Sequence, residues 1–116
     1  MKVGTDITVI SRIEKSLEKF GERFLAKLLT KEEQSSLSLK AHNIAGYWAA
    51  KEAVSKALGC GIGEELSFHD ITLYKDKKDA PHFKLSYEAQ ALHPINGSTL
   101  SIAHDGGFAI AVVVIY

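Results

Sequence analysis

The chain has 116 residues, 46% hydrophobic and 24% charged, and this composition predicts one globular domain over residues 1–116 with enough apolar material for a core. Its basic and acidic residues cancel to a formal net charge of +0, which excludes a global attraction to nucleic acid or to an anionic membrane. No apolar stretch reaches membrane-spanning length, and the single cysteine cannot form an intrachain disulfide, so we expect a cytoplasmic protein.

The first half of the chain predicts one strand followed by helices. Residues 2–7 predict a strand, and residues 10–28 predict one helix in which Gly21 lowers the helix propensity without breaking the pattern. Thr30 followed by Glu33 is a capping box, which predicts a second, short helix through TKEEQSSLSL. A third helix is expected from about residue 42 to Gly59, which suits a left-handed C-cap. The buried face of the first helix comprises Ile10, Ile13, Leu17, Phe20, Phe24 and Leu28.

The second half predicts strands, one more helix and a hairpin. The GCGIG run closes a helix, whereas a Rossmann-type phosphate loop must open one, so that role is disfavoured. Strands are expected near residues 70–75 and 82–86, and Ser86 caps a short helix, YEAQALH. TLSIAH and FAIAVVVIY flank Asp105, Gly106 and Gly107, which is a hairpin signal. The fold class is therefore α+β, with early helices packed on a mainly antiparallel sheet.

The central segment GYWAAKEAVSKALGCGIG carries charges in an alanine-rich helix. Glu52 and Lys56 lie one above the other at i,i+4, and they could simply form a surface ion pair. The small residues around them also allow a ligand to approach closely. A carboxylate and an ammonium in that position suit a magnesium phosphate, with Glu52 as a metal ligand and Lys56 as a phosphate ligand.

Asp6 is the candidate for a second acidic metal ligand. Magnesium in proteins usually binds one or two carboxylates together with substrate phosphates and water. Asp6 lies in VGTDIT at the end of an apolar strand, where Gly4 and Thr5 leave room beside it. An aspartate at this place could equally be a turn residue or the N-cap of the first helix.

The first helix sorts its charges into two stripes. The acidic stripe comprises Glu14, Glu18 and Glu22, and the basic stripe comprises Arg12, Lys15, Lys19, Arg23 and Lys27. Like charges at i,i+4 are mildly destabilising, so this arrangement favours an acidic partner, although a solvated helix face is the alternative. His104 ends a predicted strand and could bind phosphate, act as a base or close the turn.

The order and spacing of several motifs resemble those of one family. They are V-G-x-D-I near the start, R-I six residues after its aspartate, F-x-x-x-L-L-T-x-x-E, W-A-A-K-E-A-x-x-K-A-L-G-x-G-I, L-S-F-x-D-I and S-I-A-H. Together they resemble the holo-acyl-carrier-protein synthases, the small 4′-phosphopantetheinyl transferases of bacterial fatty-acid synthesis. The resemblance covers essentially the whole chain, and the block W-A-A-K-E-A-x-x-K-A is its most specific part.

The resemblance implies a reaction and a set of site residues. Coenzyme A would donate its phosphopantetheine arm to a serine of apo-acyl carrier protein, with release of adenosine 3′,5′-bisphosphate. Asp6 and Glu52 would hold magnesium against the pyrophosphate, and Glu52 is also the leading candidate to activate the serine. Lys56 would stabilise phosphate charge. Lys51 and His104 would lie near the nucleotide or the phosphate, and Pro81 near the adenine.

The resemblance also implies partners. Acyl carrier proteins are acidic, and Arg12 and Arg23 match basic family positions that face the carrier, whereas Lys15, Lys19 and Lys27 follow only from the stripe. Electrostatic docking of this kind raises association rates and weakens with salt. The family is trimeric, with active sites between subunits. The apolar C-terminal strand FAIAVVVIY is consistent with burial on both faces.

One departure from the family pattern concerns coenzyme A binding. Many relatives read G-R-F-A-A-K-E-A, but this chain has Tyr47 in place of the arginine. If that arginine binds phosphate, its role is lost here or passes to Lys40 or another lysine, at a cost of about one charged hydrogen bond. Two alternatives to a fatty-acid synthase remain open: a transferase acting on carrier domains of polyketide or peptide synthases, and a catalytically silent module that binds carrier protein or nucleotide.

Overall fold

The computed structural model describes residues 1–116, and its helices and strands follow the predicted α+β order. The helices are α1 (Ile10–Phe20), α2 (Glu22–Leu28), α3 (Lys31–Ser36), α4 (Ala41–Leu58) and α5 (Tyr87–Leu92). The strands are β1 (Lys2–Val9), β2 (Ile71–Lys75), β3 (Pro81–Leu85), β4 (Ser98–Asp105) and β5 (Phe108–Ile115). A single 3₁₀ turn, Phe68–Asp70, precedes β2.

Two antiparallel sheets are present. One has the strand order β1-β5-β4, and the other pairs β2 with β3. The predicted hairpin between β4 and β5 is confirmed, with Asp105 opposite Phe108 and with positive φ angles of 58° at Gly106 and 86° at Gly107. These two positions need the left-handed region, which glycine enters without steric cost.

Helix α4 packs across one face of the three-stranded sheet, and Gly4 explains how closely it does so. A Cβ at Gly4 would collide with the carbonyl oxygen of Ala53 and would lie 2.7 Å from the amide nitrogen of Ala57. The strand and helix backbones are therefore in direct contact. Because side chains alternate along a strand, Asp6 and Thr8 project from β1 on the same face as Gly4.

The prediction of one helix over residues 10–28 is wrong at Gly21. Gly21 has a φ angle of 54°, and its amide donates to the carbonyl of Leu17, so α1 ends at Phe20 and α2 begins at Glu22. As a result Phe20, which was placed on the buried face, is 44% exposed. Glycine ended the helix here because the chain changes direction through a positive φ that other residues disfavour.

The predicted caps are confirmed in three helices. The Glu33 amide donates to Thr30 Oγ1 and the Thr30 amide donates to Glu33 Oε1, which completes the capping box of α3. This helix ends at Ser36, earlier than TKEEQSSLSL suggested. Gly59 caps α4 in the left-handed conformation, and the Ser86 hydroxyl accepts from the Ala89 amide at the start of α5.

The outer face of the three-stranded sheet is apolar and exposed. Burial alternates along β5, so a single chain buries one face of this strand and leaves the other exposed. Burial on both faces stays a prediction that requires a partner subunit. Ile110 and Val112 are each 42% exposed, and Val3 and Ile7 on β1 are more exposed still. No helix of the protein is both long enough and apolar enough to cross a membrane.

Candidate active site

Strand β1 and helix α4 bring two acidic residues to one cavity. Asp6 and Glu52 both line a cavity of about 280 Å³, together with Arg12 from α1 and Trp48 from α4. Asp6 comes from the sheet face that α4 covers, and Glu52 comes from the side of α4 next to β1. The backbone contact at Gly4 therefore sets how closely the two carboxylates approach.

The Asp6 carboxylate is held by two donors. Its Oδ1 accepts from Lys56 Nζ at 2.9 Å, and its Oδ2 accepts from Thr8 Oγ1 at 2.9 Å. The Asp6 side chain is only 14% exposed, whereas that of Lys56 is 53% exposed. Asp6 is not the N-cap of α1, because Val9 occupies that position and no side chain caps the helix. The alternative interpretation of Asp6 as a capping residue is therefore wrong.

The Glu52 carboxylate is half-buried beside Asp6. Burial raises the pKa of Glu52, the negative charge of Asp6 raises it further, and Lys56 opposes both effects. The i,i+4 ion pair between Glu52 and Lys56 does not form, since Lys56 bonds to Asp6 on the neighbouring strand. Two acids that share a half-buried site favour the binding of a proton or of a cation between them.

Lys51 lies away from this cavity, and the expectation that it contacts nucleotide or phosphate is corrected by the structure. Its side chain is 0% exposed, and its Nζ forms an ion pair of 2.8 Å with Glu33. The same nitrogen donates to the carbonyls of Leu28 at 2.7 Å and Phe68 at 2.9 Å. An ammonium has three donors, so none is left for a ligand. Burial lowers the pKa of Lys51, and Glu33 opposes that effect.

A second cavity, of about 290 Å³, collects the other predicted nucleotide residues. Pro81 and His104 line it together with Tyr47 and Lys75. The Tyr47 side chain is buried, and its hydroxyl oxygen has no hydrogen-bond partner. Tyr47, which stands where many relatives have arginine, thus lines this cavity. Lys40 is exposed at the N-cap of α4 and lines neither this cavity nor the one with the two acids.

The basic stripe spans two helices because the chain breaks at Gly21. Its members are exposed, with Arg12, Lys15 and Lys19 on α1 and Arg23 and Lys27 on α2. Arg12 lines the cavity with the two acids. Arg23 and Lys27 line an adjoining cavity of about 390 Å³ whose wall includes Trp48. Since Trp48 lines both cavities, Arg12, Arg23 and Lys27 lie next to the acidic pair, whereas Lys15 and Lys19 line neither cavity.

Sequence comparison decides which family this chain represents. The profile of the 4′-phosphopantetheinyl transferase superfamily matches residues 2–113. The chain belongs to this superfamily. The holo-acyl-carrier-protein synthases, the family predicted from the sequence motifs, are phosphopantetheinyl transferases, and the prediction is confirmed.

Named relatives of this phosphopantetheinyl transferase are similar over almost the full length. The chain is 54% identical to the holo-[acyl-carrier-protein] synthase of Sulfurovum sp. (strain NBC37-1), an alignment that covers 99% of this chain and 96% of the relative. It is 50% identical to the synthase of Campylobacter lari, with 97% of each chain covered.

A solved structure confirms the predicted fold of this phosphopantetheinyl transferase. The crystal structure of Helicobacter pylori holo-[acyl-carrier-protein] synthase in complex with coenzyme A matches with a TM-score of 0.93 at 47% identity. The match covers 98% of this chain and 99% of that one.

The contacts of two residues in this transferase had only weak sequence signals. Thr8 bonds Asp6, and its position two residues along the same strand would have placed both side chains on one face. Glu33 was recognised only as part of a capping box, although it also pairs with Lys51 and accepts from the Leu73 amide at 2.8 Å. No local pattern indicates those two contacts, because they join residues that are distant in sequence.

Proposed function

We propose that this chain acts as a magnesium-dependent holo-acyl-carrier-protein synthase. It transfers the 4′-phosphopantetheine arm of coenzyme A to a serine hydroxyl of apo-acyl carrier protein and releases adenosine 3′,5′-bisphosphate. The observation that carries the proposal is the convergence of Asp6 and Glu52 on one cavity, in a chain that is about half identical to named synthases over its whole length.

The donor set at the acidic pair fits magnesium. Carboxylate oxygens are the ligands that Mg²⁺ prefers, and two of them with room for substrate phosphate are typical of its sites. Asp6 is partly exposed, and burial together with the negative charge of Asp6 raises the pKa of Glu52, so a cation between the two carboxylates would be favoured. Asp6 and Glu52 would hold the ion, which when bound neutralises charge on the diphosphate of coenzyme A.

Glu52 and Lys56 supply the remaining chemistry from the chain itself. A half-buried carboxylate with a raised pKa is suited to accept a proton, so we assign Glu52 to accept the proton of the carrier serine. The serine oxygen then forms a bond to phosphorus as the bond from phosphorus to adenosine bisphosphate breaks. Lys56 is half-exposed while it bonds Asp6, so its ammonium can also neutralise phosphate oxygens.

We assign the cavity with Pro81 and His104 to the nucleotide end of coenzyme A. Its size and its polar lining support this assignment, because Lys75 and His104 offer nitrogen donors there. Tyr47 stands in the place of the family arginine and lines the same cavity. Pro81 contributes through the shape of the backbone at the start of β3.

Carrier docking is assigned to the basic stripe. Its five side chains are exposed, and Arg12 reaches the cavity that holds the acidic pair. A carrier bound along α1 and α2 would therefore present its serine to Glu52. Because acyl carrier proteins are acidic, the charges are complementary and steer the encounter.

A trimer is part of the proposal. The apolar outer face of the three-stranded sheet supports it, since exposed apolar surfaces of this kind commonly mark protein interfaces. Ile7 belongs to this face, is 60% exposed and also lines the cavity with Asp6 and Glu52. An interface on the sheet would thus border the candidate active site, as sites between subunits require.

Fatty-acid biosynthesis and a cytoplasmic location complete the proposal. The full-length similarity to relatives named for the acyl carrier protein favours that acceptor over carrier domains of polyketide or peptide synthases. The single cysteine supports a reducing compartment.

Intact-mass spectrometry of apo-acyl carrier protein tests the reaction. The carrier is incubated with this protein, coenzyme A and magnesium, and a parallel sample contains EDTA. We expect a mass gain of one phosphopantetheine that disappears with EDTA. If folded protein binds coenzyme A and carrier but gives no gain, the silent binding module is the correct interpretation. If only a polyketide carrier domain gains the mass of phosphopantetheine, that domain and not acyl carrier protein is the acceptor.

A further inference from the structure

A second group of metal-binding side chains lies outside the candidate active site. Cys60 follows the C-cap of α4, Glu65 lies in the connection to the 3₁₀ turn, and His93 is the C-cap residue of α5. One sulfur, one carboxylate oxygen and one imidazole nitrogen from these residues lie within 4.8 Å of one another. None of the three lines the cavity with Asp6 and Glu52.

The imidazole of His93 lacks a partner that its burial calls for. Its Nε2 is buried without a hydrogen bond, and the side chain is only 14% exposed. The nearest acidic oxygen, Glu65 Oε2, is 3.7 Å away, which is beyond hydrogen-bond distance. A buried nitrogen without a partner costs free energy, so such atoms in proteins usually have a ligand, a water or a bond.

Like the His93 imidazole, the thiol of Cys60 is free to bind a metal ion. Its only polar contact is a long one, 3.9 Å from Sγ to the carbonyl oxygen of Ser55. As the single cysteine it has no disulfide partner within the chain. Glu65 is largely exposed and can turn toward the other two side chains.

We propose that Cys60, Glu65 and His93 form a site for Zn²⁺ or a divalent cation of similar softness. Bond lengths of about 2.0–2.3 Å to tetrahedral zinc place any two of its ligands about 3.3–3.8 Å apart. His93 Nε2 and Glu65 Oε2 are 3.7 Å apart, a few tenths of an ångström more than about 3.4 Å for one nitrogen and one oxygen ligand of zinc. Small side-chain rotations of Glu65 and Cys60 would bring the three ligand atoms, now within 4.8 Å of one another, to that geometry. Magnesium is disfavoured because it prefers oxygen ligands alone.

The site joins two parts of the chain that are distant in sequence. Its ligands tie the glycine-rich connection after α4 to the end of α5, and a fourth tetrahedral position remains for water. A metal that binds the folded chain in preference to the unfolded chain stabilises the fold by mass action. The cation therefore acts as a brace for the connection and is separate from the proposed magnesium pair.

The test is a zinc chloride titration of the metal-free, full-length chain in excess magnesium. A Glu52→Gln background removes one of the two competing carboxylates, and the excess magnesium competes for the other. We expect the melting temperature to rise by roughly 10 °C at a hundredfold excess of zinc over its Kd. We also expect zinc to protect Cys60 from iodoacetamide, which intact mass reports without ambiguity because the chain has one thiol. Cobalt should give a thiolate charge-transfer band.

Matched variants decide whether these residues bind the metal. Cys60→Ser and His93→Gln should abolish the zinc response, and Glu65→Gln should weaken it about tenfold, while Glu64→Gln, next to it in sequence and also exposed, should leave it unchanged. The Glu65 and Glu64 pair remains informative even if a buried variant folds poorly, since both side chains are on the surface. Alkylation unaffected by zinc, or equal responses in the Glu65 and Glu64 variants, would overturn the proposal.

Discussion

Lys51 and Glu33 form an ion pair of 2.8 Å in which both side chains are 0% exposed. Glu33 also accepts from the amides of Thr30 at 2.7 Å and Leu73 at 2.8 Å, so one carboxylate joins α3, α4 and β2. A buried pair of this kind is strongly destabilised when one partner is removed, because the other charge is left without compensation. Its role in this protein is to fix α4 against the elements around it.

Lys51→Met is therefore expected to lower the free energy of unfolding by about 3–5 kcal/mol, as measured by urea denaturation. The KM for coenzyme A should stay within about twofold of the parent value, because Lys51 has no donor left for a ligand. A much higher KM in folded Lys51→Met protein, with little loss of stability, would contradict this structural role.

Removal of either acid at the proposed metal site is expected to abolish most turnover. Asp6→Asn and Glu52→Gln should each lower the rate of phosphopantetheine transfer by at least about a hundredfold. Neither residue belongs to the hydrophobic core, so both variants should fold. The rate is followed by mass spectrometry of the carrier as magnesium is varied. Glu88→Gln, an exposed acid on α5, is the control, and near-normal activity in either site variant would eliminate the proposed pair.

Charge reversal in the basic stripe is expected to impair carrier docking. Arg23→Glu should lower kcat/KM for apo-acyl carrier protein about tenfold at low salt, and the deficit should shrink as salt screens the charges. The KM for coenzyme A should not change. Lys77→Glu alters the net charge equally but lies in the turn between β2 and β3. If both variants have the same effect, net charge and not the stripe governs docking.

A charge on the outer face of the sheet is expected to dissociate the proposed trimer. Ile110→Lys would place an ammonium at the centre of the apolar face, so light scattering should report monomer where the parent protein gives trimer. Leu39→Lys is the control, since Leu39 has the same 42% exposure but lies outside the sheet. A parent protein that is monomeric at micromolar concentration would refute the trimer directly.

Asp70 is expected to make the fold acid-sensitive. Burial acts to raise its pKa, but hydrogen bonds from the Ser67 amide, the Ser86 hydroxyl and the Ser67 hydroxyl outweigh burial and hold the pKa below its ordinary value of 3.8. A carboxyl group whose pKa is lower in the folded state stabilises the fold fully at pH values above its pKa in the unfolded chain. That contribution is lost as pH falls through the folded pKa.

Asp70→Asn should therefore be less stable than the parent at pH 7 by about 1 kcal/mol. The difference should narrow as pH falls below 3.8, because the parent loses the same contribution on protonation. Urea denaturation of both proteins at pH 7 and at pH 3 measures the difference in their free energies of unfolding. A difference that stays constant between pH 7 and pH 3 would show that the Asp70 carboxylate makes no net ionic contribution.

The sequence predicted the architecture and placed Asp6 and Glu52 together, but it did not predict the buried ion pair of Lys51. Helix periodicity, caps and the hairpin are local patterns, and they predicted most elements correctly. Lys51 and Glu52 are neighbours on one helix, and only the elements packed around α4 decide that the first is buried and the second lines a cavity. The break at Gly21 was missed because an apolar pattern that continues through a glycine does not report its φ angle.

The contact at Gly4 fixes the spacing of the acidic pair through the backbone. The distance between Asp6 and Glu52 is governed by two backbones in touch, one in β1 and one in α4, and main-chain atoms cannot change rotamer to absorb a mismatch. Even one methyl group between them would push the strand from the helix and separate two carboxylates that it never touches. A displacement of about 1 Å can cost about a hundredfold in rate, so Gly4, which has no side chain, sets the spacing of the proposed metal site.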